Sequence, residues 1–370
     1  MNNIKAIAIY LPQFHPIPEN DEWWGKGFTE WTNVTQSKPL FKGQYQPHLP
    51  TDLGFYDLRL NEVFYEQVKM AKEAGIEGFM FYHYWFEGKR LLQTPLENYL
   101  ADKKIDFPFF LCWANENWTR RWDGADKEVL MKQDYSINDY SKHFDEVLSR
   151  FIVDERYIKV NGKPVISIYK TELIPNILEL AQVWNNKAKV LGFPGLYLIK
   201  VEASDWDTSP NSIGFDASME FQPNWKILPT FEIPINKYYK LLNSVRPKRI
   251  RDFIKNNYFK NSNRIFDYKD YSIHSSKFIE KDYTFYRCVT PSWDNTSRRR
   301  NGNAFILKNS SPVLYGNWLK SVIQSFKPRS KEENFVFINA WNEWAEGNHL
   351  EPCLKYGREY LEITKEILNS

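Results

Sequence analysis

Short apolar runs rich in β-branched and aromatic residues recur along the chain. Most are separated by stretches whose apolar positions repeat at helical spacing. Eight runs stand out: KAIAIYL (5–11), GFMFYHY (78–84), FPFFLCW (107–113), PVISIYK (164–170), GLYLIKV (195–201), FDASMEF (215–221), FYRCVTP (285–291) and NFVFINA (334–340). Each has the length and composition of a buried strand. Between the first two, LNEVFYEQVKMAKEAG (60–75) has a helical apolar period and stops at Gly75, the residue type favoured just past a helix end. Similar amphipathic stretches lie at 137–153, 174–190 and 312–327, and 356–368 closes the chain. Strands alternating with helices imply βαβ units, and eight of them with a final helix make an α/β fold of the (β/α)8 TIM-barrel type the economical architecture. A doubly wound open sheet is the alternative. It is disfavoured because LPQFHP, not a glycine-rich dinucleotide fingerprint, follows the first strand.

One segment breaks the repeat. Residues 223–284 carry 13 Lys or Arg against 6 Asp or Glu and fall between the sixth and seventh strands. In a barrel this is an inserted excursion on the rim where active sites form. It reads either as a solvated surface insertion or as a cationic lid for an anionic substrate. The whole chain, 1–370, is expected to form a single catalytic barrel domain with 223–284 inserted in it.

Composition narrows the class. An apolar share of 42% with 26% charged residues suits a globular protein with a large core, and a net charge of +3 gives no reason to expect nucleic acid. Cys112, Cys288 and Cys353 are odd in number and lack metal-finger spacing, so neither a disulfide framework nor a cysteine zinc site is expected. The first residues, MNNIKAIAIYLPQFHP, lack the pattern of a secretory signal, and no stretch reaches the roughly 18 apolar residues of a membrane span. A cytoplasmic location is the expectation. The 14 Trp and 22 Tyr are a heavy aromatic load, suited to surfaces half apolar and half hydroxylated, as sugars are.

Functional residues of a barrel enzyme sit at the C-terminal ends of its strands. There the chain places Gln13 and His15 after the first run; Tyr82, His83, Tyr84 and Trp85 in the second; and Trp113, Asn115, Glu116, Asn117 and Trp118 after the third. Tyr169, Glu202, Glu220 with Gln222, and Trp293 with Asp294 and Asn295 follow at later strand ends. The last run leads into NAWNEWAEG, which holds Trp341, Asn342, Glu343, Trp344 and Glu346. Polar groups alternating with indoles point to a carbohydrate cleft, in which rings stack on pyranose faces and amides or carboxylates bind hydroxyls.

Cleaving a glycosidic bond needs one carboxylic acid at the leaving oxygen and a second carboxylate close by. Glu343 and Glu346, three residues apart on one bend, meet that need. In a competing reading, one of them is catalytic and the other pairs with Arg120, Arg121 or Arg298. Glu116, in WANENW, is a rival acid or a hydroxyl ligand, and Asp294 is either a salt-bridge partner or another hydroxyl ligand. His15, His48 and His83 are dispersed, no H-E-x-x-H occurs, and no phosphate loop or serine nucleophile elbow is present. No metal and no cofactor are expected.

Five blocks carry a resemblance: LPQFHPIPENDEWWGKGFTEWTNV, GFMFYHYWFEGKRLL, FLCWANENWTRRWDG, PSWDNTSRRR and FINAWNEWAEGNHLEP. From residue 5 to about 360 the chain resembles the glycosyltransferase WbsX family, which is related to glycoside hydrolase family 99. The resemblance implies a (β/α)8 barrel and a catalytic pair after the last strand. By position, Glu346 would be the general acid/base and Glu343 the base that deprotonates the sugar 2-hydroxyl, giving a 1,2-anhydro sugar. That route requires an axial 2-hydroxyl, as in mannose or rhamnose. A retaining, endo-acting hydrolase of an α-linked manno-configured glycan is therefore expected. Tyr82, His83, Trp85, Trp113, Asn115, Glu116, Asn117, Glu220, Trp293, Asp294, Trp341, Asn342 and Trp344 would line its subsites. Two alternatives stand beside it: a glycosyltransferase of O-antigen or capsule assembly, and a catalytically silent glycan-binding protein. The expected partner is a carbohydrate substrate, with anionic and lipid-linked forms left open, as is the oligomeric state.

Overall fold

The computed structural model describes residues 4–120, 125–133, 135–233, 245, 247–251, 254, 263–299 and 302–369. Eight strands form its centre: β1 (Lys5–Tyr10), β2 (Ile76–Phe86), β3 (Phe109–Trp113), β4 (Lys163–Ile168), β5 (Tyr197–Glu202), β6 (Ala217–Glu220), β7 (Thr284–Val289) and β8 (Phe335–Ile338). Each coincides with one of the eight apolar runs. They pair in sequence order, all parallel, and β1 pairs with both β2 and β8, closing the ring. Closure makes this a (β/α)8 barrel and removes the open-sheet alternative.

Period-two alternation decides what each strand residue does. In β2, Phe79 and Phe81 face outward, where Phe81 meets Tyr99 at 5.0 Å. Met80 faces inward, its sulfur accepting a hydrogen bond from Ser167 Oγ at 3.3 Å. Phe110 and Phe337 meet inside the barrel with ring centroids 6.2 Å apart, both fully buried. The interior is thus filled by side chains, not left as a pore.

Helices Asn61–Glu73, Ile177–Val190, Pro312–Ser325 and Glu359–Leu368 lie within the expected amphipathic stretches. The stretch at 137–153 forms Ile137–His143, continues through a π-helical turn, Phe144–Leu148, and ends as Ser149–Ile152. Two short helices after β1, α1 (Pro18–Trp24) and α2 (Glu30–Gln36), are too brief to give a periodic signal.

Within 223–284, Glu232–Ile233 pairs antiparallel with Arg264–Asp267. Arg264–Asp267 in turn pairs in parallel with Phe305–Lys308, from the loop after β7. The excursions after β6 and β7 are therefore stitched into one small sheet. Within the basic stretch, residues 234–244, 246, 252–253 and 255–262 lie outside the described residues. No helix among the described residues is long and apolar enough to cross a membrane.

Gly78 in β2 tests this packing. A Cβ there would stand 2.8 Å from Ile158 Cδ1 and 3.0 Å from the Pro108 carbonyl oxygen. Gly78→Ala is expected to cost about 1–3 kcal/mol by overpacking, read as a lower denaturant midpoint. An unchanged midpoint would contradict the close packing of Ile158 and Ile7 against β2 at this position.

Candidate active site

A cleft of about 700 Å³ opens at the C-terminal ends of the strands. Alternation along β2 turns Tyr82 and Tyr84 into it, and Gln13, following β1, donates to the Tyr84 hydroxyl at 2.7 Å. The loop after β3 adds Glu116, Asn117 and Trp118; the loop after β7 adds Trp293, Arg298 and Arg299; the bend after β8 adds Glu343 and Glu346. Trp23 and Trp24 of α1 wall one side, and Trp225, Arg264 and Phe305 of the rim wall another.

The bend after β8 is held tightly against the loop after β7. The Asp294 N–H donates to the Glu346 carbonyl at 2.6 Å, Ser292 Oγ to the Gly347 carbonyl at 2.5 Å, and Thr290 Oγ1 to Asn348 Oδ1 at 2.9 Å. Gly347 sits at φ +56°, and a Cβ there would lie 3.1 Å from both the Asp294 carbonyl oxygen and His48 Nε2. Only glycine fits that bend without strain.

These ties bring Arg298 onto both glutamates. Its Nη1 donates to Glu346 Oε1 at 2.7 Å and its Nη2 to Glu343 Oε2 at 2.9 Å. A third carboxylate, Glu30 of α2, approaches the same Nη2 at 3.2 Å from the side away from the cleft. One guanidinium thus faces three carboxylates. Burial pushes Glu343 up to about 8; Arg298 opposes the shift, and Glu346 and Glu30 add to it. Burial likewise raises Glu346 and Glu30, each opposed by Arg298. Three ionised carboxylates would outnumber the two cations that act on them, Arg298 and Arg299, in a desolvated site, so burial and mutual repulsion favour retention of a proton by the cluster. An acid and a base then coexist at one wall of the cleft. Among the described residues no group of three or more His, Cys, Asp or Glu is arranged to hold a metal ion.

The family model for Glycosyltransferase WbsX matches residues 6–364. The chain belongs to the glycosyltransferase WbsX family. Two curated relatives named WxcX and described as uncharacterized, from strains of Xanthomonas campestris pv. campestris, are 41% and 40% identical over 363 residues. That alignment covers 98% of this chain and 49% of each relative, so the chain spans about half the length of the curated relatives it matches. Among solved structures, the GH99 endo-alpha-mannosidase from Bacteroides thetaiotaomicron superposes with a TM-score of 0.54 at 13% identity, covering 98% of this chain and 96% of that one. A glycoside hydrolase-like protein gives 0.54 at 16% identity, covering 100% and 94%. At these identities the likeness is one of fold.

In this WbsX-family chain, Tyr82, Glu116, Asn117 and Trp293 line the cleft with Glu343 and Glu346. The other expected subsite residues stand behind its wall. His83 and Trp85 occupy the alternate register of β2 and pack on His143, the Trp85 ring parallel to it at 4.9 Å, while Trp85 Nε1 donates to Asp139. Trp113, in the outward register of β3, packs on Trp184 and donates to the Trp85 carbonyl. Asn115 clasps the backbone N–H and carbonyl of Lys170, and Asn342 does the same to Leu11, so both amides pin loops. Glu220 is buried and accepts from Arg287 Nε at 2.9 Å. Asp294 caps the short helix Asn295–Arg298 and lines a separate cavity of about 250 Å³. Trp341 is fully buried against Phe79, and Trp344 donates to Glu351 while stacking on His349 at 3.8 Å.

Of the three arginines considered as partners, Arg298 fills the role for both glutamates, and Arg121 lies outside the described residues. Glu30, Trp23, Trp24, Trp225, Arg264 and Phe305 do not belong to the residues expected at the strand ends. A signal existed for the first three, because DEWW and FTEW repeat the pairing of acid with indole found after β8.

The raised carboxyls fix the sign of a pH effect. Glu343 is ionised above about 4.5 when unfolded but stays protonated up to about 8 when folded. Its contribution is therefore fully present below about 4.5 and is lost as pH rises toward about 8. Thermal melts between about pH 5 and about pH 8 should show falling stability, with up to about 1.4 kcal/mol per pH unit removed from the slope by Glu343→Gln. A variant with the wild-type slope would contradict the raised carboxyl.

Proposed function

We propose that the protein is a retaining glycoside hydrolase, endo-acting on an α-linked manno-configured glycan, with Glu343 and Glu346 as its reacting carboxyls. The single observation that carries this reading is the pair itself: two glutamates facing one cleft, held by opposite nitrogens of one guanidinium. The aromatic walls of Trp118, Trp225, Trp293, Tyr82 and Tyr84 support binding of sugar faces.

In this mechanism the retained proton sits on Glu346 once the sugar 2-hydroxyl donates to Glu343. Glu346 protonates the glycosidic oxygen as the bond to C1 breaks. Glu343 takes the 2-hydroxyl proton, and O2 closes on C1 to give the 1,2-anhydro sugar. Water then attacks C1, passing a proton to Glu346, while O2 recovers its proton from Glu343. Two inversions give net retention, and both carboxyls return to their starting state. Arg298 stays paired throughout and stabilises whichever carboxylate is ionised.

A second reading, transfer from an activated donor, has one observation in its favour. Lys170, Arg264 and Arg299 line the cleft and suit a donor's phosphate.

Purified protein incubated with α-mannans and rhamnans should release oligosaccharides with new reducing ends, read by chromatography. Glu346→Gln and Glu343→Gln are each expected to lower kcat by about 10²–10⁴-fold with the fold retained. A Glu346→Gln variant with near wild-type turnover would remove the assignment. Sugar binding that survives loss of both glutamates, in a protein with no turnover, would mark a glycan-binding protein instead.

A further inference from the structure

We propose that Glu30 is a positioning residue which, acting through Arg298, fixes where the Glu343–Glu346 pair keeps its proton. It does not reach the sugar. Glu30 is 1% exposed and is not part of the cleft wall. Its Oε2 stands 3.2 Å from Arg298 Nη2, the same nitrogen that holds Glu343 at 2.9 Å. Its other oxygen, Oε1, is buried with no hydrogen-bond partner among the described residues.

A carboxylate in that position is costly, since burying a charge without full pairing disfavours the fold. Arg298 would already be balanced by one ionised glutamate. Glu30 changes the proton inventory through its charge. It stands against the guanidinium that holds the pair, accepting from Arg298 Nε at 3.4 Å, and its negative charge repels the ionised form of the pair. That favours the form in which the pair holds a proton, the form a general acid needs.

Among the described residues, the other titratable groups facing the cluster are Arg299, whose charge acts on Glu346, and Tyr82 and Tyr84 of β2, each of which feels the Glu343 charge. Burial holds both tyrosines far above neutrality, so they stay uncharged while the glutamates titrate.

The kinetic part of the test rests on the hydrolase reading; the spectroscopic part does not. Carboxyl carbons of ¹³C-glutamate-labelled protein can be titrated by NMR, with Glu343 and Glu346 assigned from their Gln variants. Glu30→Gln is expected to lower the titration midpoint of the pair by roughly one pH unit or more, whereas Glu30→Asp keeps it near wild type. Under turnover, the basic limb of kcat/KM should move to lower pH in Glu30→Gln with KM little changed. An unchanged midpoint in folded Glu30→Gln would overturn the proposal. Should that variant fail to fold, the wild-type titration decides. The Glu30 carbon must shift as the pair titrates, and three carboxyls titrating independently would overturn it. A shifted midpoint in a protein that cleaves nothing would uphold the coupling and reject the hydrolase reading.

Discussion

Arg298 holds Glu346 with one terminal nitrogen and Glu343 with the other, and much of the mouth of the barrel is arranged so that it can. The arginine comes from the loop after β7 and the glutamates from the bend after β8. The contact exists because hydrogen bonds from Asp294, Ser292 and Thr290 lace the two segments together. Charge complementarity sets the orientation of both carboxyls, and burial sets their proton affinity. Separating the segments would leave an arginine and three acids in a desolvated space, where unpaired charge is least tolerated.

Behind the site lies a second buried polar assembly centred on Glu351. Glu351 accepts hydrogen bonds from Trp344, Tyr56 and Gln67, and Gln67 accepts one from Tyr10 in β1. This hub joins the end of β1, the helix Asn61–Glu73 and the bend after β8 beneath Glu343 and Glu346. It explains why the bend is so rich in indoles and amides: Trp341 and Trp344 fill and tie its back, while Asn339, Glu343 and Glu346 line the cleft. The two glutamates serve the cleft, and the two tryptophans build the platform that aims them.

The barrel was legible because each strand is a short β-branched and aromatic run, and eight such runs with intervening helical periods leave few other architectures. The carboxyl pair was legible because catalytic groups of this fold gather after the strands. What the sequence hid was direction. His83 and Trp85 differ from Tyr82 and Tyr84 only by one step of a two-residue alternation, and strand ends contain too few residues to tell which register faces the mouth. Asn115 and Asn342 look like hydroxyl ligands by type but complete backbone hydrogen bonds between loops. Glu30 was hidden by distance, 268 residues from its arginine, in a helix too short to leave a pattern.

The chain belongs to a family described by transfer, and its barrel resembles that of a family 99 hydrolase. The same carboxyl pair could serve either outcome, because the fate of the activated sugar depends on what attacks C1. The decisive measurement is mass spectrometry of mannan and rhamnan digests made in ¹⁸O-water, with and without nucleotide sugars. Heavy oxygen at the new reducing ends, independent of any donor, is the result expected of hydrolysis by Glu343 and Glu346. Unlabelled products that gain mass only when a donor is present would contradict it.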